Sequence, residues 1–290
     1  GFNDAFVIDA DTRSQLIEQD PKSGELIKPY LRGKDISRWN VCAGEMWLIF
    51  TRRGIDIDAY PAIKAHLKAF RVQLEPKPEG WNDKEQGAWP GRKPGPYEWY
   101  EIQDNIAYWE DFSKLKIIST KVSIAPTFCI DETGSFLGNT SYFFNVSVNP
   151  LFLLGLLNSA VSEFFSKCVF VGKQGGFYEV QPEALESLPI PNASFDQRTI
   201  LESSVQAILD GTARPEYERL LNGLVYELFF PEDLNAKNIR LFDACTAAGI
   251  RDGMDAQAVA AEIFHPRHPI YGQLFELQTL EVVRLIEGDA

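Results

Sequence analysis

The side chains best suited to chemistry in this sequence are cations set beside glycines. Arg32-Gly33-Lys34-Asp35 follows an apolar segment, and Arg52-Arg53-Gly54 follows another. Arg92-Lys93 lies close to Tyr97 and Trp99, Lys121 ends an apolar run, and Lys173-Gln174 sits in the glycine-rich stretch 172–178 with Tyr178. A cation at a strand end on an exposed loop reaches phosphate oxygens as a positioning contact, and a bidentate donor there reaches base edges. An aromatic ring beside it either lids a core or stacks on an unpaired base. The competing reading of each pair is ordinary solvated loop charge. The candidates are therefore Arg32, Lys34, Arg52, Arg53, Arg92, Lys93, Lys121, Lys173 and Gln174, with the rings of Tyr97, Trp99 and Tyr178. Arg32, Arg52, Arg92 and Lys173 are expected to share one concave positive face.

Covalent chemistry finds little support. Asn149-Pro150-Leu151-Phe152 is the nearest match to the Asn/Asp-Pro-Pro-Tyr/Phe motif with which an adenine methyltransferase grips a flipped base. It lacks the second proline and reads as a helix cap. The glycines at 172–176 lack the strand–GxxxxGK[ST]–helix setting of a phosphate loop. His66, His265 and His268 form no metal or triad spacing, and Cys42, Cys129, Cys168 and Cys245 form no CxxC pair or zinc pattern. The cysteines are expected to be reduced, mostly buried thiols of a cytoplasmic protein. No catalytic residue, metal or cofactor is assigned to this chain.

The elements that must position the candidates are a mixture. Residues 2–8 suit a short strand, Asp11-Thr12 offers an N-cap for a helix to about Asp20, and 45–50 reads as a buried strand. Apolar residues at helical spacing (Ile63, Leu67, Phe70, Leu74) predict a helix over 57–74. Residues 75–99, rich in Pro, Gly and Trp, predict a long ordered loop. Strands are predicted at 116–120, 127–131 and 141–146, and one helix from Pro150 to about Cys168. From about 195 the pattern is helical. The fold class is α+β, a mixed α/β domain over 1–192 followed by a helical domain over 193–290.

Composition weighs on both sides. The 290 residues are 45% apolar, with six Trp and twenty Phe, enough for a well-buried core. No run reaches the length of about 20 apolar residues that a membrane helix needs. Gly1-Phe2-Asn3-Asp4 has neither an initiator Met nor the look of a secretory signal, so the chain reads as a piece of something longer. The net charge of −13 argues against phosphate binding. Its distribution matters more: residues 28–53 carry six Lys and Arg against two acids, whereas 193–290 carry eight against sixteen.

Four further segments carry a resemblance. Leu31-Arg32-Gly33-Lys34-Asp35-Ile36-Ser37-Arg38-Trp39, the run from Gly91 to Asp104, Gly155-Leu156-Leu157-Asn158-Ser159 and Leu188-Pro189-Ile190-Pro191 occur in that order, with Leu224-Val225-Tyr226-Glu227-Leu228 after them. As an ordered set, these resemble the TaqI-like specificity domain of adenine-specific DNA methyltransferases and of fused Type IIG or IIS restriction enzymes. The resemblance implies a mixed α/β recognition domain whose loops enter the major groove, followed by a helical bundle. It implies double-stranded DNA as a partner. It also implies a methyltransferase domain upstream in the same polypeptide, which would use S-adenosylmethionine, with a fused endonuclease in some relatives. The alternative is a protein-interaction module docking a methyltransferase onto a partner subunit.

Overall fold

The computed structural model describes residues 3–42, 44–146 and 149–288. Phe2, at the start of the first expected strand, lies outside the described residues. Among these residues the strands are β1 Val7–Asp9, β2 Ile27–Leu31, β3 Met46–Ile49, β4 Lys116–Thr120, β5 Val122–Ser123, β6 Phe128–Asp131, β7 Phe136–Leu137, β8 Ser141–Asn145, β9 Val171–Gly172 and β10 Tyr178–Glu179. They form three small sheets amid many helices, so the mixed α/β class holds.

The chain folds into two compact units that it enters more than once. The first comprises residues 1–35, 43–115 and 132–138. Its sheet has the order β1-β3-β2-β7, antiparallel except for the β2–β7 pair, with Ile8 opposite Trp47 and Tyr30 opposite Phe136. Ile8, Leu16, Ile27, Ile49, Ile63, Leu67, Leu74 and Trp99 make its core. The helix Ala10–Gln19 is capped by Asp9, whose carboxylate accepts from Thr12 N at 2.8 Å, two residues earlier than the sequence suggested. The expected helix over 57–74 is three short pieces, Ile57–Ala59, Pro61–Lys68 and Arg71–Leu74. Pro61 lacks the amide that would join the first two and instead starts the second. His66 is half-buried: its Nε2 lies 3.0 Å from the Ala5 carbonyl, and burial lowers its pKa.

The second unit comprises residues 36–42, 116–131 and 139–290. Its sheet β6-β4-β8 is antiparallel, with Ile118 opposite both Cys129 and Phe143. One apolar core runs from Trp39, Ile117 and Phe128 through Leu154, Leu201 and Tyr217 to Leu274 and Ile286. A division at 192 is therefore corrected: helices on both sides of that position bury their faces in this same core. Lys116 is fully buried in β4 and pairs with Asp131, its cross-strand neighbour, at 2.6 Å.

The expected helix over 150–168 is two, Leu151–Leu157 and Ala160–Val169, bent by 57° at Asn158-Ser159. The Asn158 amide leaves the helical direction to pair with β6, accepting from Phe128 N at 3.1 Å and donating to Phe128 O at 2.9 Å. Ser159 then caps the second helix, accepting from Ser162 N at 3.3 Å. Just before the bend, a Cβ on Gly155 would sit 2.8 Å from both Leu201 and Val205, so only glycine lets the helices approach this closely. Among the described residues no single helix is long and apolar enough to cross a membrane.

Candidate nucleic-acid interface

In the first unit the predicted cations divide sharply by what their side chains touch. Arg92 is 5% exposed. Its Nε donates to Leu74 O at 2.6 Å, Nη1 to Glu101 O at 2.7 Å, and Nη2 to Trp99 O at 2.9 Å and Glu98 O at 3.2 Å. The Tyr97 ring stacks on it at 4.5 Å, and burial pulls its pKa down from the ordinary arginine value. The strand-like bridge between Pro76 and Arg92 closes the 75–92 loop at its base. Gly91 is required there, because a Cβ would lie 2.2 Å from Glu75 O. Arg92 is an internal strut, and its place among the DNA-facing cations is corrected on that ground.

Tyr97 and Trp99 are likewise buried, the core lids of the two readings that the sequence left open. Trp99 packs into the core with Arg71 over its face at 5.1 Å, and the Tyr97 hydroxyl donates to Lys93 O. Arg53 is also spent internally. It donates to Ile102 O at 2.8 Å and Gln103 O at 2.6 Å, and pairs with Glu101 at 3.5 Å. Sequence reasoning missed Glu101, a buried carboxylate that also accepts from Gly54 N at 2.5 Å and Glu98 N at 3.0 Å.

The remaining cations of this unit stand outside. Arg32 is half-exposed and forks onto Asp35, with Nε–Oδ2 at 2.9 Å and Nη2–Oδ1 at 3.1 Å. Burial alone would raise the Asp35 carboxyl, but hydrogen bonds from the Arg32 side chain and backbone outweigh it and hold the group below its ordinary value. The fork rigidifies the turn that carries Lys34, which is exposed and makes no ion pair among the described residues. Arg52 is exposed with its guanidinium over Trp109 at 5.0 Å, and Lys93 is exposed at the outer edge of the Arg92 knot.

In the second unit, Lys121, Lys173, Gln174 and Tyr178 gather on the three-stranded ribbon β5-β10-β9. Glu179 lies between the two lysines, 2.6 Å from Lys173 Nζ and 3.5 Å from Lys121 Nζ. The hydrogen bond from Lys173 is the chief reason that its pKa is lowered. Gln174 is exposed on the turn where Gly175 and Gly176 take positive φ. Tyr178 faces the other way and lines a narrow cleft with Ser123, Ser166 and Lys167. An apolar cavity of about 450 Å³ beside β8 is lined by Phe143, Phe144, Leu153, Leu185 and Leu188. Among the described residues no three metal-capable side chains cluster.

Residues 28–190, more than half of the chain, match the model of the TaqI-like C-terminal specificity domain. The chain belongs to that family. Among solved structures, the Type IIL restriction-modification enzyme MmeI in complex with DNA is similar over 95% of this chain and 34% of that one, at a TM-score of 0.53 and 14% identity. The likeness is one of fold, and the chain spans about a third of that protein's length. No curated protein matches.

The segments that carried the family resemblance have structural work in this TaqI-like domain. Leu31 to Trp39 holds the Arg32–Asp35 fork and then plants Trp39, buried at positive φ, where its backbone N donates to Phe128 O at 3.0 Å. Gly91 to Asp104 is the Arg92 and Glu101 knot. Gly155 to Ser159 is the helix bend locked onto β6. Lys34, Arg52 and Lys93 lie beside the first two of these knots.

Proposed function

We propose that this chain recognises a specific double-stranded DNA sequence and so orients an adenine-specific methyltransferase domain lying upstream in the same polypeptide. S-adenosylmethionine would serve that domain, and an endonuclease accompanies it in the Type IIG or IIS arrangement. A cytoplasmic setting suits such an enzyme. Lys34, Arg52, Lys93, Lys121, Lys173 and Gln174 act at the duplex, with Arg32 contributing the donors left over from its fork. The observation that carries this reading is the contrast between buried and exposed cations. Arg53 and Arg92 are consumed by carbonyl oxygens, whereas Lys34, Arg52 and Lys93 are held outward on turns braced by internal hydrogen bonds. Cations presented on rigid turns position phosphates without a large loss of loop entropy on binding. The similar Type IIL restriction-modification enzyme MmeI is seen in complex with DNA, which supports DNA as the partner.

Selection of bound duplexes from a random-sequence pool by the 290-residue chain tests the reading. Enrichment of one sequence family supports it, and a bound pool as random as the input refutes it.

One observation favours a second reading, docking onto a partner protein. Phe275 and Leu285 stand exposed on the helices Pro269–Leu277 and Glu281–Glu287, within the acidic part of the chain. Both readings hold together if the helices bind protein while the turns bind DNA.

A further inference from the structure

The β5-β10-β9 ribbon presents an apolar face that neither the core nor the ion pairs explain. The register sets Val122, Glu179 and Val171 in one row, and Ser123, Tyr178 and Gly172 in the next. Side chains alternate along a strand, so Val122, Glu179 and Val171 share the face opposite Tyr178, and Phe177 falls on that side by the same alternation. Val122 is 44% exposed, Val171 44% and Phe177 43%. Apolar side chains clustered outward on so small a ribbon mark a contact surface.

The charges on the same ribbon indicate what it contacts. Lys121 and Lys173 converge on Glu179, so two cations answer one carboxylate in the middle of the face. Gln174 stands exposed at the tip, on glycine backbone that can approach a ligand closely. A surface with apolar side chains on either side of a carboxylate that two lysines neutralise, and with those lysines at its edge, complements the floor and walls of a DNA major groove. The floor offers the 5-methyl group of thymine as its apolar feature, and the walls are phosphates.

Resting on the DNA-recognition reading above, we infer that the ribbon is a thymine-reading element. Val122, Val171 and Phe177 pack on thymine methyl groups, and Lys121 and Lys173 hold the flanking backbone. Part of the target specificity then comes from burial of methyls.

The test uses the 290-residue chain and the duplex recovered by selection, made once with thymine and once with deoxyuridine at every thymine position. The two differ only in the methyl groups. Burial of one methyl corresponds to about a fourfold change in affinity. Tighter binding of the thymine duplex by roughly fourfold per contacted methyl, reduced towards unity in Phe177→Ala or in Val122→Ser/Val171→Ser, supports the inference. These side chains are exposed, so the variants are expected to melt like the parent, and circular dichroism checks that they do. Equal affinity for the two duplexes overturns the inference while leaving DNA recognition intact. A preference for thymine that all these variants retain also overturns it. Failure of the chain to bind any duplex removes the underlying reading as well. Self-association of the chain that Phe177→Ala abolishes, with no methyl preference, marks the face as a protein interface and overturns the inference.

Discussion

Replacing Arg92 distinguishes a structural cation from a DNA-contacting one. Its guanidinium serves four carbonyl oxygens, those of Leu74, Glu98, Trp99 and Glu101, from a site that is 5% exposed. Arg92→Met keeps most of the volume but leaves these acceptors facing a thioether. Each hydrogen bond from a charged donor contributes about 1.5–3 kcal/mol. The four share one side chain and do not add, so the loss is set nearer the figure of about 3–5 kcal/mol for stranding the partners of a buried ion. Against a total stability of about 5–15 kcal/mol, that is a large fraction. Arg92→Lys sharpens the comparison. A phosphate contact survives that change, but an ammonium cannot span carbonyls arranged around a planar fork. Thermal unfolding followed by circular dichroism is the assay, with duplex binding measured below the transition. Both variants are expected to lower the melting temperature by roughly 6–20 °C, on the order of 2–4 °C per kcal/mol. Variants that melt like the parent yet lose duplex affinity would show that the hydrogen-bond reasoning is wrong.

Three further outcomes follow from the geometry. Lys116→Met removes the ion-pair cation of the buried Asp131 and is expected to destabilise by about 3–5 kcal/mol, whereas Lys116→Met/Asp131→Leu recovers most of the loss; denaturant titration reads both. Gly155→Ala drives a methyl into Leu201 and Val205 and is expected to lose about 1–3 kcal/mol by the same titration. Glu227, which caps the helix Leu241–Ala247 by accepting from Leu241 N and Phe242 N, has its pKa raised by burial. A raised acid in the folded state favours the native form at low pH, so its contribution falls as pH rises from the ordinary glutamate value through the raised one. Glu227→Gln is expected to flatten that part of the stability–pH curve, and an unchanged slope would show that Glu227 does not generate it.

What the sequence made legible was local. The Arg32-Gly33-Lys34-Asp35 turn and the outward Arg52 follow from charges placed beside glycine after an apolar strand. Arg92 looked the same in sequence, and its burial depends on the backbone at 98–101 folding back onto it, which no nearby residue signals. Tyr97 and Trp99 went with it for the same reason. The bend at Asn158 was hidden because the apolar spacing continues through it, and its cause is a strand residue, Phe128, thirty positions earlier in the chain. The boundary at 192 marks a true change of pattern, from mixed to helical, but patterns do not report shared cores. Leu154 and Leu201 lie on either side of it and pack in one cluster. Lys116 inside an apolar strand was the one available hint of a buried ion pair, and Asp131 at the matching end of β6 completes it.

The central claim, that exposed cations on braced turns bind duplex DNA, is tested most directly by the salt dependence of binding. The logarithm of affinity is expected to fall linearly with the logarithm of salt concentration. Lys34→Ala, Arg52→Ala, Lys93→Ala and Lys173→Ala are each expected to reduce that slope by about 0.9 wherever a phosphate contact is lost. A slope that none of the four substitutions changes, or duplex affinity indifferent to salt, would contradict the account.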